Sequence, residues 1–219
     1  MKKTVLALAL VATTGAFANV KGGKFGMDFS FAGSLGLWTT GTNGNAGLPT
    51  FNGMPTVGFR YHITDMIAVA PSVGFVMANG TNNTNNTTAG SVLSTEKSVT
   101  AWGIGLEIPL YLLKLNMLDF YIAPGVGYTP TSTTTKTTYV GGTPAATEGK
   151  ETASYLSVFA AIGLQIPIND QLHAFGKTTI GYATGTTNPN TQSTPADVDD
   201  KSTYFGLQSF AVGAIFYFN

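Results

Sequence analysis

The sequence predicts an all-β fold, an eight-stranded antiparallel up-and-down transmembrane β-barrel with short turns at one end and long loops at the other. Three observations predict this fold. Only 10% of the 219 residues are charged, whereas soluble domains have about 25%. Apolar residues alternate with small or polar residues at a period of two, as in strands that present two different faces. The segments between these strands alternate between tight and long.

The composition excludes several classes of protein. The chain has no cysteine, which excludes disulfide scaffolds, thiolate zinc sites and cysteine nucleophiles. It has a single arginine, Arg60, and no cluster of basic residues, so it has no patch that would bind nucleic acid. The 33 threonines and 27 glycines are typical of a sheet that meets lipid on one face.

The first 18 residues predict an export signal, which is not part of the fold. It consists of Lys2 and Lys3, the short apolar run 5–11, and the small-x-small site formed by Ala16, Phe17 and Ala18. This order of positive, apolar and small residues is that of a cleaved secretory signal. We therefore expect cleavage after Ala18, leaving residues 19–219 as one barrel domain.

The longest apolar stretch, residues 104–124, does not predict a transmembrane helix. It is interrupted by Glu107, Lys114 and Asp119 and by two prolines, Pro109 and Pro124. A spanning helix needs about 20 consecutive apolar residues. The other structure that satisfies its backbone in lipid is a closed barrel.

Eight runs of alternating residues predict the strands. They cover residues 25–37, 56–63, 67–77, 102–110, 120–128, 155–166, 172–182 and 209–218. About ten residues is the length of a tilted transmembrane strand, and an even number of strands is usual in bacterial barrels.

The connections between the runs predict the orientation. Three are tight, at 64–65, 114–118 and 169–170, and four are long, at 39–53, 79–98, 129–153 and 183–201. Outer-membrane barrels have short periplasmic turns and long external loops, so we expect both termini in the periplasm. The uncharged Thr/Asn-rich stretches 80–88, 131–138 and 183–194 predict mobile loops.

The charges within the strands all fall on the face opposite the apolar one. They are Asp28, Arg60, Glu107 and Lys177. A basic residue facing lipid at mid-depth costs about 2–4 kcal/mol, so we expect these four in the lumen, where they form one ionic network that plugs the barrel. Candidate hydrogen-bond partners are Tyr121, Tyr155, Gln165 and Thr179. The predicted role is structural, with gating or proton conduction as the alternative.

Aromatic residues predict the two membrane interfaces. Tyr61, Phe216 and Phe218 mark the short-turn end, and Trp102, Tyr128, Tyr182 and Tyr204 mark the long-loop end. Gln208 departs from the pattern because it shares the lipid-facing parity of Phe210. Either a place at the outer rim or a β-bulge explains it.

No catalytic, cofactor-binding or metal-binding residue is predicted. The two histidines, His62 and His173, fall on the lumen face beside short turns, and we expect them at the periplasmic rim in polar surroundings. The acidic residues Asp197, Asp199 and Asp200 are interpreted as a solvated run rather than a calcium site, because they lack the spacing of a calcium loop.

Two internal segments and the C-terminus carry a family resemblance. Residues 106–110 (LEIPL), 121–128 (YIAPGVGY) and 211–219 (AVGAIFYFN) are similar to the outer-membrane β-barrel domain family, which includes small barrels such as outer-membrane protein X and the barrel domain of outer-membrane protein A. The resemblance implies an outer-membrane fold and recognition by the barrel-assembly machinery through Gly213, Phe216 and Phe218. Ala211 and Asn219 depart from that signal. The His-x-Ser motif of lipid A deacylases is absent after both histidines.

Together these features predict a monomeric, surface-exposed outer-membrane protein with a structural or adhesive role carried by the Thr/Asn-rich loops. Its expected partners are outer-membrane lipid, the assembly machinery during biogenesis, and a host or cell-surface ligand. We expect no enzymatic activity, no cofactor and no nucleic acid. The alternatives are a lipid-modifying enzyme, a small low-conductance pore and a secreted ligand-binding barrel.

Overall fold

The computed structural model describes residues 22–33, 54–86, 91–115, 117–140, 147–190 and 200–218. Nine strand segments cover most of these residues. They are β1 (Phe25–Gly33), β2 (Thr56–His62), β3 (Ala68–Asn86), β4 (Ser91–Glu107), β5 (Leu110–Leu115), β6 (Leu118–Val140), β7 (Thr147–Pro167), β8 (Leu172–Asn190) and β9 (Asp200–Phe218). The predicted signal segment, loop 39–53, Asp197, Asp199 and Asn219 lie outside the described residues.

The nine segments form eight barrel strands, because β4 and β5 are two parts of one strand. Both pair antiparallel with β6, and only Ile108 and Pro109 separate them. Pro109 lacks an N–H and so interrupts the ladder, yet its carbonyl accepts from the Ala68 N–H at 2.9 Å. The sheet runs β4-β3-β2-β1-β9-β8-β7-β6-β5 and closes through the β4–β6 pairing. The predicted fold class is confirmed.

The two faces of the barrel have opposite polarity. Most large apolar side chains are exposed on the outside, for example Val73, Phe75, Ile104 and Val158. The inside is buried and contains glycine, alanine, tyrosine and charged residues. This inversion of the usual soluble pattern is stable only when lipid covers the exterior. Among the described residues, no helix is long and apolar enough to cross a membrane.

The long connections differ from the prediction, because most of their residues are in strands. The stretch 131–138 lies wholly within β6, while 80–88 continues β3 as far as Asn86 and 183–194 continues β8 as far as Asn190. Their composition excludes a hydrophobic core, but it does not prevent the growth of a ladder whose inner part is already paired. Threonine is β-branched and favours extended backbone. The barrel therefore continues outward as long hairpins.

A β-bulge accounts for Gln208. Thr179 pairs with Ser209, but the next residue, Ile180, pairs with Leu207, so that the register of the two strands shifts by one residue at Gln208. The bulge reverses the alternation of β9. In consequence Phe205, rather than the predicted Tyr204, is the outward aromatic residue at this level, and it is 73% exposed.

Candidate functional site

The lumen holds all four of the predicted charged residues, but it groups them as two separate ion pairs. Arg60 forms an ion pair with Asp28, and its Nη2 atom lies 2.8 Å from Asp28 Oδ2. Lys177 contacts Glu107 across the barrel, from β8 to β4. The prediction of a single ionic network is therefore wrong, because no ion pair among the described residues joins the two groups.

Arg60 is the centre of the larger group. Its side chain is fully buried, and besides Asp28 its Nη1 donates to the Tyr111 hydroxyl and to Gln165 Oε1, both at 3.1 Å. Tyr111 in turn donates to the same Oε1 at 2.8 Å. A buried guanidinium is tolerated only when it is paired and hydrogen-bonded, and Arg60 meets this condition with partners from three strands, β1, β5 and β7.

The hydrogen-bond chain continues from Gln165 to both histidines. The Gln165 Nε2 lies 2.7 Å from His173 Nδ1 and donates to the Tyr217 hydroxyl at 3.4 Å. That hydroxyl lies 2.9 Å from His62 Nε2. Because Gln165 Oε1 already accepts two bonds, the amide nitrogen is the donor to His173. We call these seven residues the Arg60 network: Asp28, Arg60, His62, Tyr111, Gln165, His173 and Tyr217.

Aromatic rings fill the space around the network. The Arg60 Cζ lies 5.6 Å from the ring centroid of Tyr121 and 5.5 Å from that of Phe175, which are cation–π distances. Tyr111 contacts His62 and Tyr121 with tilted rings, at centroid distances of 5.2 and 5.5 Å. Buried side chains therefore pack together in the described lumen near the short-turn end.

The second ion pair borders a small cavity. The cavity has a volume of about 10 Å³ and is lined by Ser30, Met54, Thr56, Ser72, Glu107, Lys177 and Ala211. The Ser30 and Thr56 hydroxyls lie 2.6 Å apart on its wall. A space of this size and polarity suits a single water molecule.

The predicted hydrogen-bond partners behave differently from one another. Gln165 joins the Arg60 network, and Tyr121 contacts Arg60 through its ring while its hydroxyl has no hydrogen bond among the described residues. The buried Thr179 hydroxyl also has no partner there. Tyr155 leans over Gly185, where an added Cβ would overlap its ring. Only one of the four therefore acts as predicted.

Sequence reasoning missed four members of the network. His62 and His173 are fully buried rather than at the rim, and Tyr111 and Tyr217 bond to them or to Arg60. Strand parity already placed both histidines and Tyr217 inside. Tyr111 gave a weaker signal, because the run 110–115 is apolar at most positions and the pairing is irregular between Tyr111 and Leu113.

The predicted assembly residues all lie in β9. Phe216 and Phe218 point outward and are about half exposed, whereas Gly213 faces the lumen under the Phe175 ring. An added Cβ at Gly213 would lie 2.5 Å from Phe175 Cζ, so this glycine has a packing role of its own. Recognition by the assembly machinery stays a prediction.

The described part of the chain contains no cluster of three His, Asp or Glu side chains that would hold a metal ion. The described lumen residues that form the Arg60 network bond chiefly to one another.

Comparisons with known proteins give a likeness of fold. No family model matches the chain, and no curated protein matches its sequence. Similar solved structures include the outer membrane protein OprG from Pseudomonas aeruginosa, which is 12% identical with a TM-score of 0.46 over 91% of this chain and 97% of that one. The N-terminal β-barrel domain of Pseudomonas aeruginosa OprF is 10% identical, with a TM-score of 0.38 over 91% and 100%.

The outer membrane protease OmpT from Escherichia coli is 9% identical, with a TM-score of 0.32 over 90% of this chain and 94% of its own. Two of these proteins are outer membrane proteins, and the third is a β-barrel domain. At such identities the likeness concerns the fold alone, and the strand pairing of this chain is what establishes its barrel.

Proposed function

We propose that the chain is an integral outer-membrane barrel protein whose long hairpins act at the cell surface in a structural or adhesive role. The observation that carries the proposal is the inverted polarity of the barrel. Large apolar side chains cover the outside, while Asp28, Arg60, Glu107 and Lys177 lie inside. An exterior of this kind needs lipid around it.

The orientation of the hairpins supports a surface role. Both described ends of the chain, at Gly22 and Phe218, lie at the short-turn end, which faces the periplasm in barrels of this kind. The extended ends of β3, β4, β6, β7, β8 and β9 lie at the other end. Their threonine, serine and asparagine hydroxyls and amides offer many hydrogen-bonding groups to a ligand outside the cell.

The chain provides a direct test of this orientation, because it contains no cysteine. Single variants Lys136→Cys, on a long hairpin, and Asp170→Cys, in a short turn, are treated on intact cells with a membrane-impermeant maleimide. Lys136→Cys is expected to be labelled, and Asp170→Cys to be labelled only after permeabilisation. Heat-modifiable migration of the protein in SDS gels checks that the barrel is folded. Recovery of the protein in the soluble periplasmic fraction would refute the proposal.

A second candidate function is a small pore, since the lumen is polar. The Arg60 network and its rings occupy the cross-section near the short-turn end, which favours a closed barrel. Eight strands leave room for little more than side chains. Planar-bilayer recordings are expected to show no large steady conductance. A large steady conductance would show that the barrel is an open pore.

A lipid-modifying enzyme remains the other alternative. His62 and His173 are inside the barrel and bond to Tyr217 and Gln165, so neither faces the lipid where an acyl chain would lie. We expect no release of fatty acid when the reconstituted protein is incubated with acylated lipid. Release that is lost in a His62→Gln or His173→Gln variant would establish the enzyme instead.

A further inference from the structure

The outer surface of the barrel carries a regular patch of hydroxyl groups beyond the apolar belt. It lies on three adjacent strands, with β6 between β4 and β7. One cross-strand row places Thr100, Ser132 and Thr152 opposite one another, and the next places Ser98, Thr134 and Lys150 together. The hydroxyl patch is defined as Ser98, Thr100, Ser132, Thr134 and Thr152.

The patch continues directly from the surface that contacts lipid. On the same strands and the same face, Ile104, Tyr128 and Leu156 form an exposed apolar row below it. Beyond the patch, Glu96, Lys136 and Glu148 form a charged row. The outer face thus passes from apolar to hydroxylated to charged in steps of a few residues, as a surface does when it crosses a membrane interface.

The height of the patch argues against an ordinary phospholipid headgroup as its occupant. Ser132 and Thr134 lie four and six residues beyond Tyr128 on β6. At about 3.3 Å per residue and a tilt of about 40°, they are roughly 10–15 Å above the aromatic ring level. The headgroup layer of a phospholipid leaflet is only about 5–8 Å thick. A lipid must carry a longer headgroup to reach this patch.

The side chains of the patch are better suited to bind a sugar than a phosphate group. Its five side chains are uncharged, and a hydroxyl can both donate and accept hydrogen bonds, which matches the hydroxyls of a carbohydrate. The Ser98 hydroxyl already donates to Asn79 Oδ1 at 2.8 Å, so it is left as an acceptor. A phosphate site is built mainly from arginine and lysine. Lys150, in the second row beside Thr134, and Lys136 beyond it are balanced by Glu96 and Glu148 on the same face, so the patch has no net positive charge to attract a polyanion.

We propose that the hydroxyl patch binds the sugar headgroup of a glycolipid whose acyl chains lie against the apolar belt below it. The inference rests on the proposed membrane location of the barrel. The outer face of β4, β6 and β7 would then bind one class of lipid specifically, which the apolar belt alone does not do.

The test uses the purified full chain reconstituted in phosphatidylcholine bilayers that contain either a digalactosyl lipid, a monogalactosyl lipid or phosphatidylglycerol. Lipid that stays bound after detergent extraction is identified by native mass spectrometry. The triple variant Thr100→Val, Ser132→Val and Thr134→Val removes hydroxyls at nearly constant shape. The matched control Thr131→Val, Thr133→Val and Thr135→Val changes alternate residues of β6 that have the opposite parity.

The digalactosyl lipid is expected to be enriched about tenfold over phosphatidylcholine, since one or two net hydrogen bonds supply about that much. The patch variant should lose the enrichment and the control should keep it. Equal enrichment in both variants, no preference for the longer headgroup, or a preference for phosphatidylglycerol would each overturn the inference. Heat-modifiable migration of every variant shows that the barrel is inserted, so failure of sugar binding is distinct from failure of the membrane proposal. If the triple variant does not fold, Thr134→Val alone takes its place.

Discussion

Two short turns on opposite sides of the barrel have the same construction. Ile63 to Ile67 joins β2 to β3, and Ile168 to Leu172 joins β7 to β8. In each turn the first N–H donates to the last carbonyl at 2.9 Å. The Thr64 hydroxyl accepts from the N–H groups of the two residues that end its turn, and the Asn169 side chain does the same in the other.

The likeness extends from the turns into the lumen. The carbonyl of Met66 accepts from the Tyr111 N–H, and that of Gln171 accepts from the Tyr217 N–H. Gly58 and Gly163 occupy matching places, as do Arg60 and Gln165, which are 105 residues apart and hydrogen-bonded to each other. The two turns and the strand residues beside them are therefore two copies of one hydrogen-bonded frame.

The difference between the copies lies in the charge that each contributes to the lumen. One contributes a guanidinium and the other an amide whose oxygen accepts from it. Two arginines at these positions would repel each other in a medium of low dielectric constant. The comparison teaches that the two turn regions share one backbone frame, whereas their lumen side chains are complementary. Arg60 donates a hydrogen bond and Gln165 accepts it.

The change that breaks this complementarity most strongly is Arg60→Gln, which makes the two copies alike. It leaves the Asp28 carboxylate buried without its partner, so we expect a loss of about 3–5 kcal/mol in unfolding free energy. Urea unfolding in lipid vesicles measures it. The double variant Asp28→Asn with Arg60→Gln should lose less than the single one, and a single-variant loss below about 1 kcal/mol would contradict the central role of Arg60.

The matching glycines give the next largest effect. An added Cβ at Gly58 would lie 2.6 Å from the Pro71 carbonyl oxygen, and one at Gly163 would overlap the Tyr121 ring. We expect Gly58→Ala and Gly163→Ala each to cost about 1–3 kcal/mol, with Gly58→Ala the larger because backbone cannot move aside. Gly176→Ala is the control, since its nearest neighbour is 4.0 Å away. Equal losses at all three positions would show that crowding is not the cause.

The matching tyrosines test the hydrogen bonds without changing the packing. Tyr111→Phe and Tyr217→Phe each remove a hydroxyl that bridges two network members, and each is expected to cost about 1–2 kcal/mol. Tyr121→Phe is the control because its hydroxyl has no hydrogen bond among the described residues. Urea unfolding in lipid vesicles measures the unfolding free energy of the three variants. A loss for Tyr121→Phe as large as for the other two would contradict the role of the hydrogen bonds.

The smallest effect is expected when the side chains of the two turns are exchanged. Thr64→Asn and Asn169→Thr keep an oxygen that can accept the same two N–H groups, so stability should change by less than about 0.5 kcal/mol. Thr64→Ala and Asn169→Ala should each cost about 1 kcal/mol, because the acceptor is lost. A large effect of the exchange would mean that the two turns are less alike than their hydrogen bonds indicate.

Strand number, sidedness and the burial of the four charges could be predicted because each depends on alternation, which every residue of a strand repeats. The grouping of those charges could not, since it depends on how strands far apart in sequence meet across the lumen, as Glu107 and Lys177 do. Composition predicts loops for the Thr-rich segments, because it reports the lack of a hydrophobic core but not the presence of a paired strand that they extend. The likeness of the two turn regions is not evident from sequence either, because Arg60 and Gln165 are different residue types at matching places.

The bulge at Gln208 has a consequence for the whole upper part of β9. Residues 201–207 are in register with β8 only because one extra residue reverses their sidedness. A barrel wall without that residue would turn Phe205 inward and Tyr204 outward, and it would exchange every side chain of the segment in the same way. A single inserted amino acid thus marks an inversion point, because the strand carries two opposite alternation patterns in one continuous sequence.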